Sequence, residues 1–174
     1  FWSVLKWTLV WAFFATFLNF ILGTIVAIII NRPTIKFKGL WRGCLSMTIA
    51  VPQFVSLLLM NQMLQSNGAI NVLLSHLTGS NVEIQWLNSS VFMARATVVI
   101  VNLWVGIPYT ILITSGILMN IPADLYESAT IDGAGPFKSF MKITLPYMLF
   151  VTTPYLITTF INNINNFNVI YLLT

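Results

Sequence analysis

Four stretches of the chain are apolar for long enough to cross a membrane, and the segments between them are short and polar. The first runs from about Trp7 to Ile30 without a charge, sufficient for a hydrocarbon core that needs roughly 20 residues. The second, about Leu45 to Leu64, contains Pro52. Its missing N–H predicts a kinked helix whose freed backbone groups face protein or water. The third extends from about Val91 to Met119 and the fourth over about 145–170. The pattern predicts an all-α fold, a polytopic transmembrane helical bundle forming one domain over residues 1–174. Phe1 opens an aromatic approach with Trp2, Trp7 and Trp11, without an initiator methionine or a cleavage signal, and Thr174 stands in another apolar run. A piece of a longer chain, lacking helices on both sides, is expected.

The intervening segments orient the spans. Arg32, Lys36, Lys38 and Arg42 crowd the first connection, and short basic loops stay cytoplasmic. The first span therefore runs inward, the second outward, the third inward and the fourth outward. Of the eight Lys and Arg residues, six then lie inside, Lys138 and Lys142 included, against Lys6 and Arg95 outside. Gly39 and Gly43 have the spacing of a helix-pairing motif but flank the basic loop, not mid-membrane helix. The outer segment, 66–90, predicts a short surface helix at Ile70 to Leu77 and an interfacial anchor at Trp86. His76 has no companion ligand and reads as solvated. Asn88-Ser89-Ser90 matches a glycosylation acceptor, a pattern common by chance.

The stretch from about 120 to 146 differs in kind. It holds three of the four acids, Asp124, Glu127 and Asp132, and two lysines. Pro122 suits a helix first turn, and Asp124 favours its positive end. Asp132-Gly133 predicts a left-handed stop. Gly135-Pro136 starts a second short helix, with Phe137, Phe140 and Met141 at i, i+3 and i+4 on one face. The product is a cytoplasmic helix–turn–helix bracket whose aromatic knob either packs on neighbouring spans or docks to another protein.

Composition adds to this picture. Hydrophobic residues make up 57% and charged residues 7%, with a mean hydropathy of +0.87. A soluble domain carries about a quarter charged residues, so a membrane location follows. Single Cys44 excludes an internal disulfide and a cysteine metal cluster. The net charge of +4 follows topology and implies no nucleic acid. The spans hold no pair of His, Asp, Glu or Cys from which to build a catalytic centre, which disfavours an embedded enzyme.

Polar side chains at membrane depth tend to face the bundle interior or a water-filled path. Asn102, Gly106 and Tyr109 fall at i, i+4 and i+7 on the third span. Thr159, Asn163 and Asn166 repeat that spacing on the fourth, within the cluster Asn162, Asn163, Asn165, Asn166 and Asn168. Neutral amides and hydroxyls can both donate to and accept from sugar hydroxyls, and an aromatic ring can cover a pyranose face. The alternative use of such asparagines is interhelical hydrogen bonding.

Glu127-Ser128-Ala129, three residues, Gly133, nine residues, then Ile143-Thr144-Leu145-Pro146 resembles the EAA loop of permease subunits of type I ATP-binding-cassette importers. Only Ser128 departs from that family's pattern. Val101 to Tyr109 and Asn162 to Asn168 resemble segments of the sugar-importing branch, in particular maltose/maltodextrin permeases of the larger, MalF-like type. The resemblance implies ATPase-coupling roles for Glu127, Ala129, Gly133, Phe137, Phe140 and Met141. It also implies sugar contacts from Gln53, Asn102, Gly106, Tyr109, Thr159 and Asn163. Gln53 and Thr159 stand where the family carries serine, which leaves the sugar open.

The family further implies a second, MalG-like permease subunit, an ATPase dimer, an extracellular solute-binding protein, an oligosaccharide substrate, surrounding lipid and a bacterial inner membrane. ATP and Mg would sit on the ATPase. This chain lacks the G-x-x-x-x-G-K-[ST] run, which Gly133 to Ser139 echoes only superficially, so no cofactor and no catalysis are expected of it. Alternatives are the same architecture for another neutral solute or glycerol phosphate, a passive channel or secondary carrier and, more remotely, an embedded enzyme.

Overall fold

A computed structural model describes residues 1–32 and 34–173. The described residues form helices α1 (Trp2–Asn31), α2 (Lys38–Ala50), α3 (Gln53–Met63), α4 (Ala69–Thr78), α5 (Val91–Met119), α6 (Ala123–Ile131), α7 (Pro136–Ser139), α8 (Leu145–Ile164) and α9 (Phe167–Leu173). A π-helical stretch, Phe140–Thr144, joins α7 to α8.

The spans are built with their large apolar residues outward. On α1 the buried face carries Ala12, Ala15, Thr16, Asn19, Gly23, Thr24 and Ala27, while Phe13, Phe14, Ile21 and Ile25 are exposed. Lipid is as apolar as leucine, so helices associate there through close backbone approach and polar contacts between small side chains. Gly23 makes such an approach: a β-carbon there would lie 2.6 Å from Thr110 Cγ2.

Four contacts set the direction of α5 against α1. Arg95 lies over the Trp7 ring at 4.4 Å, Asn19 faces Gly106 and Gly23 faces Thr110, and Asn31 Nδ2 donates to Ser115 Oγ at 3.0 Å. Numbers rise together, so the two helices are parallel. In contrast, α8 runs antiparallel to both. Trp11 Nε1 donates to the Asn163 carbonyl at 3.2 Å and Asn163 Nδ2 to Thr16 Oγ1 at 3.0 Å, while Tyr155 lies level with Thr110.

A parallel α1 and α5 require the chain between them to return across the bundle. Lys38 and Arg42 bond to Asn31 at one end, and Leu57 and Leu64 join the apolar cluster of Trp11, Val98 and Val169 towards the other. The return is not one kinked helix, as the sequence predicts, but two helices meeting at 85°. Pro52 caps α3, and neither it nor Val51 has helical backbone angles. Proline biases the residue before it to extended geometry, here enough to end α2 outright.

Trp86 is half-buried, and its Nε1 donates to Asn71 Oδ1 at 2.9 Å. Asn71 also donates to the carbonyls of Ser66 and Ile84, pinning the outer segment around α4. The fourth span is not one helix to residue 170. It stops at Ile164, and Asn166 Oδ1 then accepts from Val169 N at 3.2 Å, the side-chain cap that starts α9.

Gly23→Ala is expected to destabilise the α1–α5 pairing by about 1–3 kcal/mol, because β-branched Thr110 is stiff and cannot swing aside. Thermal unfolding of the purified protein in detergent checks this. By the same assay Asn163→Ala is expected to cost roughly 0.6–1.7 kcal/mol, the range of single interhelical hydrogen bonds in membranes.

Candidate functional site

A cavity of about 400 Å³ opens at mid-depth between α1, the α2–α3 break, α5 and α8. All six residues proposed from sequence as solute contacts line it: Gln53, Asn102, Gly106, Tyr109, Thr159 and Asn163. Each reaches it for a local reason. The sharp turn at Pro52 brings Gln53 and Ser56 to the wall. Helical spacing brings Asn102, Gly106 and Tyr109 along α5, and Thr159 and Asn163 along α8.

Their environments differ. Asn102 is buried at 6% exposure, yet its amide makes no hydrogen bond to any described residue. Asn163 is equally buried but spends a donor on Thr16, so it serves the bundle as well as the cavity. Tyr109 is half exposed, and its ring centroid lies 6.2 Å from that of Tyr155. Gly106 leaves room for α1, since a β-carbon there would meet the Asn19 amide at 2.7 Å. Of the other asparagines in the fourth-span cluster, Asn166 reaches the cavity, whereas Asn162, Asn165 and Asn168 are exposed.

Sequence reasoning missed Asn19, Ser56, Trp104, Thr110 and Tyr155. A signal existed for two of them. Tyr155 continues the stripe of Thr159, Asn163 and Asn166 one turn back, and Asn19 is the one asparagine in the middle of the first span. Among the described residues, none that line the cavity is charged. The wall offers amides, hydroxyls and three aromatic rings, which suits a neutral solute rich in hydroxyls. Among the described residues there is also no group of three His, Cys, Asp or Glu placed to hold a metal.

The bracket lies at the end of the bundle that carries the basic residues. Gly133 has φ +72°, with Gly133 N donating to Thr130 O at 3.0 Å and Ala134 N to Ala129 O at 2.8 Å. Those paired bonds close α6 in a Schellman motif. Glu127 is exposed and Ala129 half-buried. The aromatic knob differs from its expected form. Four-residue α7 passes into the π-helical stretch at Phe140, whose wider turn changes the angular spacing on which an i, i+3, i+4 face depends. Phe137 is 78% and Met141 43% exposed, while Phe140 is half-buried. The second bracket helix is not separate from the fourth span either: Pro136–Ile164 form one continuous helical rod of 29 residues. Tyr126 OH and Thr144 Oγ1, 2.8 Å apart, tie α6 to the base of that rod.

Comparison with known proteins places this geometry. The maltose/maltodextrin transport system permease protein MalF of Salmonella typhimurium is 41% identical over 175 residues, covering 100% of this chain and 34% of the relative. Its counterpart in Escherichia coli K12 is 39% identical over 173 residues, covering 99% and 33%. The chain thus spans about a third of the length of these curated relatives. A solved bacterial ABC transporter, involved in the import of the acidic polysaccharide alginate, has the same fold. It superposes with a TM-score of 0.76 at 20% identity, over 92% of this chain and 56% of that one. The model of the family described as binding-protein-dependent transport system inner membrane component matches residues 19–174, and this chain, with its several apolar helices, belongs to that family of multi-pass bacterial inner membrane proteins.

Proposed function

We propose that this chain forms part of the translocation path of an ATP-driven importer and that its mid-depth cavity holds a neutral oligosaccharide of the maltose/maltodextrin kind. The observation that carries this reading is the uncharged wall of Asn102, Thr159, Asn163, Tyr109 and Gln53 around one 400 Å³ space. Ligand sites generally occupy roughly 300–1,000 Å³. Asn102 would turn its unpaired amide to sugar hydroxyls, and Tyr109 would lie against a ring face. An acidic polysaccharide or glycerol phosphate would call for a cation in the wall, and the lining offers none. The relatives' names point to the same sugars.

Energy would come from a separate ATPase dimer, which would carry ATP and Mg. Glu127 would anchor the bracket to a basic residue of that subunit, and exposed Phe137 and Met141, with Phe140 behind them, would fill an apolar cleft. Force on the bracket would pass directly into α8, because Pro136–Ile164 is unbroken and Tyr126 holds α6 to it. A second, MalG-like permease subunit would close the path, and an extracellular binding protein would deliver the sugar. This chain would itself be non-catalytic.

Uptake of labelled maltose by cells carrying the complete importer tests the reading. Asn102→Ala is expected to lower uptake by about tenfold or more, the equivalent of one hydrogen bond of about 1.4 kcal/mol, with subunit assembly intact. Unchanged uptake, or wild-type uptake of a non-sugar solute alone, would count against the sugar site. Gly133→Pro places a residue fixed near φ −65° where the backbone needs +72°. The expected result is ATP hydrolysis without transport and normal membrane insertion; normal transport by this variant would sink the coupling role.

A further inference from the structure

Tyr155 is the aromatic residue of α8 in the cavity wall, and a short chain of hydrogen bonds fixes its chemistry. Thr110 Oγ1 donates to the Gly106 carbonyl at 3.2 Å and lies 3.3 Å from Tyr155 OH. A threonine hydroxyl has one hydrogen. When that hydrogen goes to Gly106, the Tyr155 phenol is the donor towards Thr110. Its oxygen is thereby left as an acceptor, and its ring is held in place at the far end.

The ring itself is half-buried and lies 6.2 Å from Tyr109, centroid to centroid, at an interplanar angle of 48°. The two rings are not stacked on one another, so their faces are not spent on each other. They stand as adjacent, angled panels, one on α5 and one on α8. Aromatic faces carry negative potential and attract the weakly positive C–H groups of a sugar ring, while an open-chain polyol presents no such flat face.

We propose that Tyr155 is a specificity-determining residue of the cavity. Together with Tyr109 it would form a two-panel wall that selects a closed pyranose ring over an open-chain polyol, and its phenol oxygen would accept from one hydroxyl of that ring. This rests on the reading of the cavity as a sugar site.

Equilibrium binding of labelled maltose and of maltitol, in which one ring is opened, to the purified membrane complex tests the proposal. Tyr155→Leu removes the panel and Tyr155→Phe removes only the hydroxyl. Tyr155→Leu is expected to raise the Kd for maltose about tenfold and to abolish the preference for maltose over maltitol; Tyr155→Phe is expected to raise it only about twofold. A purely structural tether would make the two variants equally weak, since both lose the bond to Thr110. Equal effects, or wild-type binding by Tyr155→Leu, would overturn the proposal while leaving the sugar site standing. Binding of neither sugar by the wild type would overturn both.

Discussion

Polar groups set inside hydrocarbon must find a partner or a wet cavity, and this requirement shapes the bundle around α1. Its buried face is made of small and polar residues, which lets α5 and α8 pack closely along it. Gly23 against Thr110 and Gly106 against Asn19 are both close approaches, and the cavity opens to the side of this seam, towards α8 and the α2–α3 break. The seam is not optimised throughout. Asn19 Oδ1, Thr24 Oγ1 and Thr114 Oγ1 are buried with no hydrogen-bond partner among the described residues, and each such group costs about 1–3 kcal/mol. The apolar cluster around Trp11, Leu57, Val98 and Val169 therefore carries the packing, while the seam carries geometry.

Much of this was legible in the residues themselves. Long uncharged runs gave the all-α membrane fold, and the i, i+4, i+7 stripes on α5 and α8 marked faces that turn to a common space. The bracket's stop at Gly133 followed from glycine's tolerance of positive φ. What could not be read was how far Pro52 bends the return. A proline in a membrane helix can kink it mildly or end it, and the outcome depends on whether neighbouring helices satisfy the freed backbone. The π-helical stretch at Phe140 has no local signature.

The two uses of asparagine coexist within the site. Asn163 donates to Thr16 and still lines the cavity, whereas Asn102 lines it without any described partner. A substitution at the first therefore mixes bundle stability with solute contact, while the second isolates solute contact. Periodicity places both residues on inward faces but says nothing of what stands opposite. Thr16, four helical turns from the end of α1 and on a different span, supplies that answer only once the helices are packed.

The contacts between the long helices are uneven. Helix α1 packs extensively along α5, and less so along α8, whereas α5 and α8 meet each other little; Tyr155 is the point at which their side chains join. A rod of 29 residues rising 1.5 Å each is about 43 Å long, so a modest tilt at its bracket end displaces its far end by several ångströms. Thr159 and Asn163 lie in that far half. The same far half is bonded to α1, through Trp11 Nε1 to the Asn163 carbonyl and Asn163 Nδ2 to Thr16, so α1 is the common support against which both polar stripes are held.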